Sequence, residues 1–377
     1  MAAPADVSLT LIELGSIIVG LALLARVASK IGLSGIPLYL LAGLAFGKGG
    51  IAPLELSQDF IRLGAEIGVL LLLFMLGLEY TPAALKSSLR EGLPAGIADF
   101  VLNFTPGVLT GVALRWNPMA AVLLGGVTYC SSSGIVAKVL GELRRLENPE
   151  TPGILSILVM EDLAMAVYLP LVGALMVGGS TRQIVISIVV AVAVVSFVLF
   201  VALRFGDTLS RLAEHESDEV VLLTTFGTVL LIAGVAQKFQ VSAAIGAFLV
   251  GIALSGPIAK HSERLLSPLR DLFAVTFFFF FGLEVDPSTL PKVLPIAATL
   301  AVVTALTKVA TGYWSAKRAR IDGAGRMRAG VALIPRGEFS MVIAGLGLAM
   351  EPALAPLSAA YVLLLAIAGP VAARVVK

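Results

Sequence analysis

Apolar runs of about 20 residues, punctuated by glycine, proline and charge, recur along the chain, centred near residues 16, 40, 70, 103, 128, 164, 194, 228, 247, 276, 303, 338 and 365. A bilayer span needs about 20 mostly apolar residues, so each run predicts one transmembrane helix. The expected fold class is an all-α polytopic membrane protein of about 13 transmembrane helices. Lys and Arg divide unevenly between the two sides of these spans: nineteen on one side, six on the other, and two, Lys308 and Arg336, inside spans. Short-loop basic residues stay in the cytoplasm, which puts the N-terminus outside and the C-terminus in the cytoplasm. Met1–Asp6 carries no positive charge before the first apolar run, so that run reads as a span rather than a cleaved signal.

An internal repeat runs through the pattern. Phe74-Met-Leu-Gly-Leu-Glu79-Tyr-Thr-Pro82-Ala-Ala-Leu85 matches Phe279-Phe-Phe-Gly-Leu-Glu284-Val-Asp-Pro287-Ser-Thr-Leu290 at an offset of 205, with six of twelve positions identical. The same offset carries Gly125 onto Gly330 and Asn103 onto Lys308. The copies lie an odd number of spans apart and so insert in opposite senses, which predicts inverted repeats over approximately 35–205 and 242–377.

Inverted-repeat transporters place their site where helices break at corresponding positions. The fifth span reads Gly125-Gly-Val-Thr-Tyr-Cys-Ser131-Ser-Ser-Gly134, hydroxyls and glycines in mid-span, and the twelfth reads Ala332-Leu-Ile-Pro335-Arg-Gly337-Glu-Phe-Ser340. Proline removes a donor and clashes with the preceding turn, while Ser and Thr satisfy backbone groups freed by unwinding. Two crossed broken helices are expected.

Ionisable groups at the bilayer centre cost at least about 2.5–3.5 kcal/mol, so each marks a functional site by default. Glu161 and Asp162 stand side by side at the centre of the sixth span. Neighbours on a helix diverge by about 100°, so one carboxylate can face a water-filled site while the other meets a cation, for which Lys308 is the candidate. Counter-ions and like charges move the proton affinity of such a pair in opposite senses, so it can hold a proton that an entering cation displaces. Asp99, with Asn103 one turn later, either adds oxygen ligands or caps a broken helix end. Arg336 and Glu338 predict a structural ion pair or a tie between the halves, and Glu66 an intrahelical pair with Arg62. Glu13, Glu79 and Glu284 sit near span ends, where exposure is expected.

Composition narrows the class. Of 377 residues, 58% are apolar and 14% charged, against about 45–50% and 25% in soluble domains. Thirteen spans use roughly 260 residues and leave no room for a soluble regulatory domain. A net charge of +2 gives no basic excess for nucleic acid. The single cysteine, Cys130, excludes an internal disulfide and a cysteine-based zinc site. His215 and His261 read as solvated residues of polar connectors. No hydrolase, Walker or dinucleotide-binding motif is present, so the chain is not expected to be an enzyme and no cofactor is expected beyond the transported ions.

Glu161-Asp162, the Thr128–Gly134 interruption, Lys308 and Pro335-Arg-Gly-Glu338 together resemble the membrane domain of bacterial monovalent cation:proton antiporters of the Kef/NapA type, over nearly the whole chain. The resemblance implies the sodium/proton antiporter fold, with a dimerisation part, a core part that moves as an elevator, and a homodimer in the inner membrane. By that likeness Asp162 is the ion-binding aspartate, Glu161 the preceding acid of electrogenic members, and Lys308 the lysine that pairs with it. The first acid is Glu where sodium-type members commonly carry Asp and Kef-type members Gln. Kef proteins also continue into a cytoplasmic nucleotide-binding domain, whereas this sequence stops at Lys377, which points to an antiporter without that regulation or to a longer protein. The function expected is exchange of Na+ or K+ for protons, with Thr128, Ser131 and Ser132 offering further oxygens to the ion. The rivals are a sodium-coupled organic-anion symporter on a related inverted-repeat fold, and a gated cation channel or non-transporting scaffold.

Overall fold

The computed structural model describes residues 7–30, 35–47, 49–51, 58–78, 82–176, 214–238, 243–254 and 257–376, with Val189 and Ser210. Among the described residues all regular structure is helical. The helices are α1 (Val7–Lys30), α2 (Ile36–Phe46), α3 (Gln58–Leu78), α4 (Pro82–Ala113), α5 (Pro118–Tyr129), α6 (Ser133–Glu142) and α7 (Thr151–Met176). They continue as α8 (Asp218–Lys238), α9 (Ala243–Ala253), α10 (Pro257–Glu284), α11 (Leu290–Arg318), α12 (Gly323–Ala332), α13 (Glu338–Leu346) and α14 (Leu354–Val375). With α5–α6 and α12–α13 each taken as one broken span, every predicted span falls on described helices except the one near residue 194, which lies outside the described residues. Among the described residues seven segments are long and apolar enough to cross a membrane, α5 and α6 counting as one.

The chain divides into two compact units, Met1–Ala65 with Val101–Ile154 and Val275–Lys377, and Glu66–Phe100 with Leu155–Ala274. In the second unit Leu71, Phe74, Met75 and Leu78 of α3 pack with Val229 of α8, Val250 and Leu254 of the α9 region, and Leu266 of α10. Helices α3 and α9 touch through glycine: a Cβ on Gly77 would collide with the Phe248 carbonyl, and one on Gly251 with the Phe74 carbonyl. His261 is not a connector residue as expected. It lies on α10, its Nε2 2.6 Å from Asp218 Oδ1 at the start of α8, and the next residue, Ser262, meets Thr225 at 3.2 Å. His215 accepts a hydrogen bond from the Ser217 amide at 3.0 Å.

In the first unit the offset of 205 reappears as repeated construction. Helix α4 ends with Arg115 at φ 56° and a bond from the Trp116 amide to the Gly111 carbonyl, and α11 ends with Arg320 at φ 61° and a bond from Ile321 to Ala316. The next helix is then capped by Asn117 in one place and Asp322 in the other, each side chain accepting a backbone N–H of the first turn. A Cβ on Gly107 would strike the Leu124 carbonyl, and one on Gly312 would lie 2.7 Å from the Ala329 carbonyl, so α4 packs on α5 as α11 packs on α12.

One end of this unit is closed by charge. Glu150, buried just before α7, accepts from Arg328 Nε at 2.6 Å and from Asn148 at 2.9 Å. Arg145 donates to the carbonyls of Ala373 (3.0 Å) and Val376 (2.7 Å) at the end of α14, and Arg374 pairs with Glu142 at 3.0 Å. Burial pushes the Glu150 carboxyl up, but the hydrogen bonds from Arg328 and Asn148 outweigh it and hold the group below its ordinary value. Glu284 is exposed as expected. Glu79 and Arg62 lie respectively outside the described residues and among those whose side chains are not described, as does the side chain of Glu13.

Candidate functional site: a crossing of broken helices and a buried carboxylate pair

Both interruptions read from the sequence are real breaks. Helix α5 stops at Tyr129 and α6 begins at Ser133; α12 stops at Ala332 and α13 begins at Glu338. The unwound segments lie against each other and satisfy each other's backbone. The Ser132 amide donates to the Pro335 carbonyl at 2.9 Å, Ser131 Oγ to Leu333 O at 2.9 Å, and Ser340 Oγ to Val127 O at 2.8 Å. A freed backbone group left unmet in this setting would cost about 1–3 kcal/mol.

The expected Arg336–Glu338 ion pair is not what forms. Arg336, fully buried, donates through Nε and Nη2 to the Thr128 carbonyl at 3.2 and 3.1 Å, and through Nη1 to Leu333 O at 3.1 Å and Ile334 O at 2.9 Å. Those carbonyls are the negative ends of α5 and α12. Glu338 opens α13 and accepts from Ser132 Oγ at 2.7 Å, where Ser132 caps α6, so its charge serves the positive ends of α6 and α13. One cation and one anion therefore answer four helix termini. Of the two roles considered for the pair, the tie between halves is the one observed. The repeat is visible here too: Ser131 binds carbonyl 333 while Arg336, its mate at the offset of 205, binds carbonyl 128.

The hydroxyls expected as ion ligands are engaged in this framework. Thr128 Oγ1 donates to Asn103 O at 2.8 Å, Ser131 to Leu333 O, and Ser132 to Glu338. The Thr128 carbonyl already receives Arg336 and, at 3.4 Å, the hydroxyl of Tyr361. Tyr361 also meets Thr304 at 2.8 Å; both are fully buried, and a lone tyrosine in an apolar span was the only trace of this link in the sequence. Asn103 is fully buried and its Oδ1 accepts from Thr307 at 2.7 Å. Lys308, next along α11 and also fully buried, holds its ammonium 5.4 Å from the centre of the Tyr129 ring.

The carboxylates belong to the second unit. Glu161 and Asp162, on α7, and Asp99, on α4, are buried to 2% exposure or less. Helices α4 and α7 run in the same sense and touch through glycine: a Cβ on Gly92 would sit 2.5 Å from Ser156 Oγ, and one on Gly96 would sit 2.9 Å from Met160 Cβ. Asp99 lies one turn beyond Gly96, and Glu161 follows Met160, so acids on both helices sit beside one close crossing. Among the described residues no three His, Cys, Asp or Glu side chains form a metal-chelating group.

A polytopic helical protein with two mutually stitched broken helices and fully buried acids has the construction of a secondary active transporter. The family model described as sodium/hydrogen exchanger, transmembrane, matches residues 17–377. The K(+)/H(+) antiporter subunit KhtU of Bacillus subtilis is 35% identical over 96% of this chain and 92% of its own length. The ammonium/H(+) antiporter subunit AmhT of Alkalihalophilus pseudofirmus is 29% identical over 89% and 86%. The solved sodium proton antiporter MjNhaP1 of Methanocaldococcus jannaschii shares the fold, with a TM-score of 0.71, 15% identity and coverage of 98% and 96%. The chain belongs to the sodium/hydrogen exchanger family of cation:proton antiporters. The organic-anion symporter considered as a rival is not supported by these matches.

Proposed function

We propose that the chain exchanges K+ for protons by alternating access, with K+ preferred over Na+, and that Asp162 is the group that binds cation and proton in turn. The observation that carries the reading is the burial of adjacent Glu161 and Asp162 in mid-span of α7, where a permanent charge is costly and a titrating one useful. The preference for K+ draws support from the K(+)/H(+) antiporter subunit that matches over almost the full length of both chains. Glu161 and Lys308 set the proton affinity of Asp162, and Asp99 buffers it or supplies a further oxygen. Thr128, Ser131 and Ser132 act mainly by holding the crossing open and rigid, leaving only their remaining lone pairs for an ion. Arg336 and Glu338 hold the four helix ends in place.

The reading extends to a homodimer in the cytoplasmic membrane, with the N-terminus outside and inverted repeats over about 35–205 and 242–377. The uneven distribution of basic residues supports the orientation, and the contacts repeated at an offset of 205 support the repeats. No cofactor takes part beyond the transported ions.

The test is proton flux in proteoliposomes with an imposed pH gradient, adding K+, Na+, Li+ or ammonium in turn. Dissipation at the lowest concentration with K+ is the expected result. Response to Na+ alone would overturn the K+ preference, and response to none of the cations would overturn antiport.

A further inference from the structure

The repeat supplies its own control for surface charge. Residues 313–328, which end α11, turn and form the first part of α12, contain Lys317, Arg318, Arg320, Arg326 and Arg328 against one acid, Asp322. Their mates at the offset of 205, residues 108–123, contain only Arg115. Both segments make the same positive-φ turn and the same helix cap, so the fold does not need the extra cations.

Two members of the cluster are accounted for: Arg328 is committed to Glu150, and Asp322 caps α12 through Gly325. The other four are available in part or whole. Arg318 stacks on the half-exposed ring of Trp314, 5.0 Å from its centre, and Arg326 lies 5.9 Å from the Tyr313 ring with only its Nε given to a carbonyl, that of Ile321. A guanidinium stacked on an aromatic face keeps its in-plane N–H groups for an oxyanion, and among the described residues Arg318 has no acceptor for them. Lys317 and Arg320 are exposed beside it. Exposed Leu306, Ala310 and Trp314 lead up to Arg318 at successive i, i+4 positions of α11, an apolar stripe topped by cations.

We propose that this end of the α11–α12 hairpin binds an anionic phospholipid, its phosphate held by Arg318 and Arg326 with Lys317 and Arg320, and an acyl chain lying along Leu306, Ala310 and Trp314. Charge complementarity selects the headgroup, and the stripe selects a lipid over a soluble phosphate. Because α12 carries the carbonyls that Arg336 and Ser131 hold, an occupied site braces one of the two broken helices.

The experiment is thermal melting of delipidated protein titrated with phosphatidylglycerol, phosphatidylcholine or inorganic phosphate, with bound lipid counted by native mass spectrometry. Wild type, Arg318→Gln, Arg318→Gln/Arg326→Gln and, as control, Arg115→Gln are compared by their response to lipid rather than by absolute melting temperature. Phosphatidylglycerol alone should stabilise wild type and the Arg115 variant, and the concentration required should rise about fivefold per arginine removed from the hairpin. An unchanged response in Arg318→Gln, which breaks no hydrogen bond among the described residues, would overturn the proposal and leave these cations a role in membrane orientation. Equal stabilisation by inorganic phosphate would overturn it in favour of a soluble anion.

Discussion

Residues 103–135 and 308–340 share a turn, a helix cap, a close glycine contact and a break in the second helix, yet they carry different chemistry at matched places. Asn103 faces its mate Lys308 across the sequence repeat, Ser131 corresponds to Arg336, and one arginine corresponds to a cluster. Backbone geometry is therefore common property of the two segments, while nearly all of their charge lies on the second. A break needs only that freed carbonyls and amides find donors and acceptors, which a serine provides as well as an arginine. A cation in the crossing does more: it sets an electrostatic bias between otherwise equivalent halves, which is what a device that binds charged cargo requires.

The comparison can be broken in graded steps. Lys308→Asn, which gives both halves the same residue, should leave the protein folded and cut exchange by about tenfold or more, equivalent to about 1.4 kcal/mol on the transport barrier. Proteoliposome flux across a pH series checks it, and wild-type rates would mean that the charge asymmetry is not functional. Arg336→Ala strips donors from the carbonyls of Thr128, Leu333 and Ile334 and should cost about 3–5 kcal/mol. Ser131→Ala removes one hydrogen bond and should cost about 1 kcal/mol. Comparable losses from the two would show that the halves share the stitching equally.

Glu150→Gln tests the charged closure with a pH signature. The carboxyl titrates below its unfolded value, so its contribution is present above the ordinary carboxylate range and disappears as pH falls through the lowered folded value. Melting at neutral pH should show a loss of about 1.5–3 kcal/mol that closes as pH falls below the ordinary carboxylate range. The smallest effect belongs to the paired turns. Arg115→Gly and Arg320→Gly each relieve a positive φ and should stabilise by about 0.5–1 kcal/mol, equally if the two turns are equivalent.

The membrane spans, both helix breaks and the buried acids were legible in the sequence because each rests on composition: apolar length, proline and glycine in mid-span, charge where lipid forbids it. The destination of a charge was not legible. Arg336 and Glu338, two residues apart, suggested each other as partners, but an unwound turn points adjacent side chains to different helix ends, and four unmet termini compete for them. By sequence alone Thr128, Ser131 and Ser132 offer oxygens, but a hydroxyl's neighbours, not its identity, decide whether its proton is already spent. Tyr361 and Glu150 reach partners more than 170 residues away in sequence, across contacts no local pattern encodes. His261 lay beside enough polar residues to look like a connector, but its helix had begun at Pro257.

The central claim is that one buried carboxylate holds either a proton or a cation. Proton release from detergent-solubilised protein in weak buffer, recorded as K+ is added, addresses it without requiring transport. Wild type should release protons saturably with K+, and Asp162→Asn should release none. Equal release from both, or none from wild type over the pH range in which exchange runs, would contradict it.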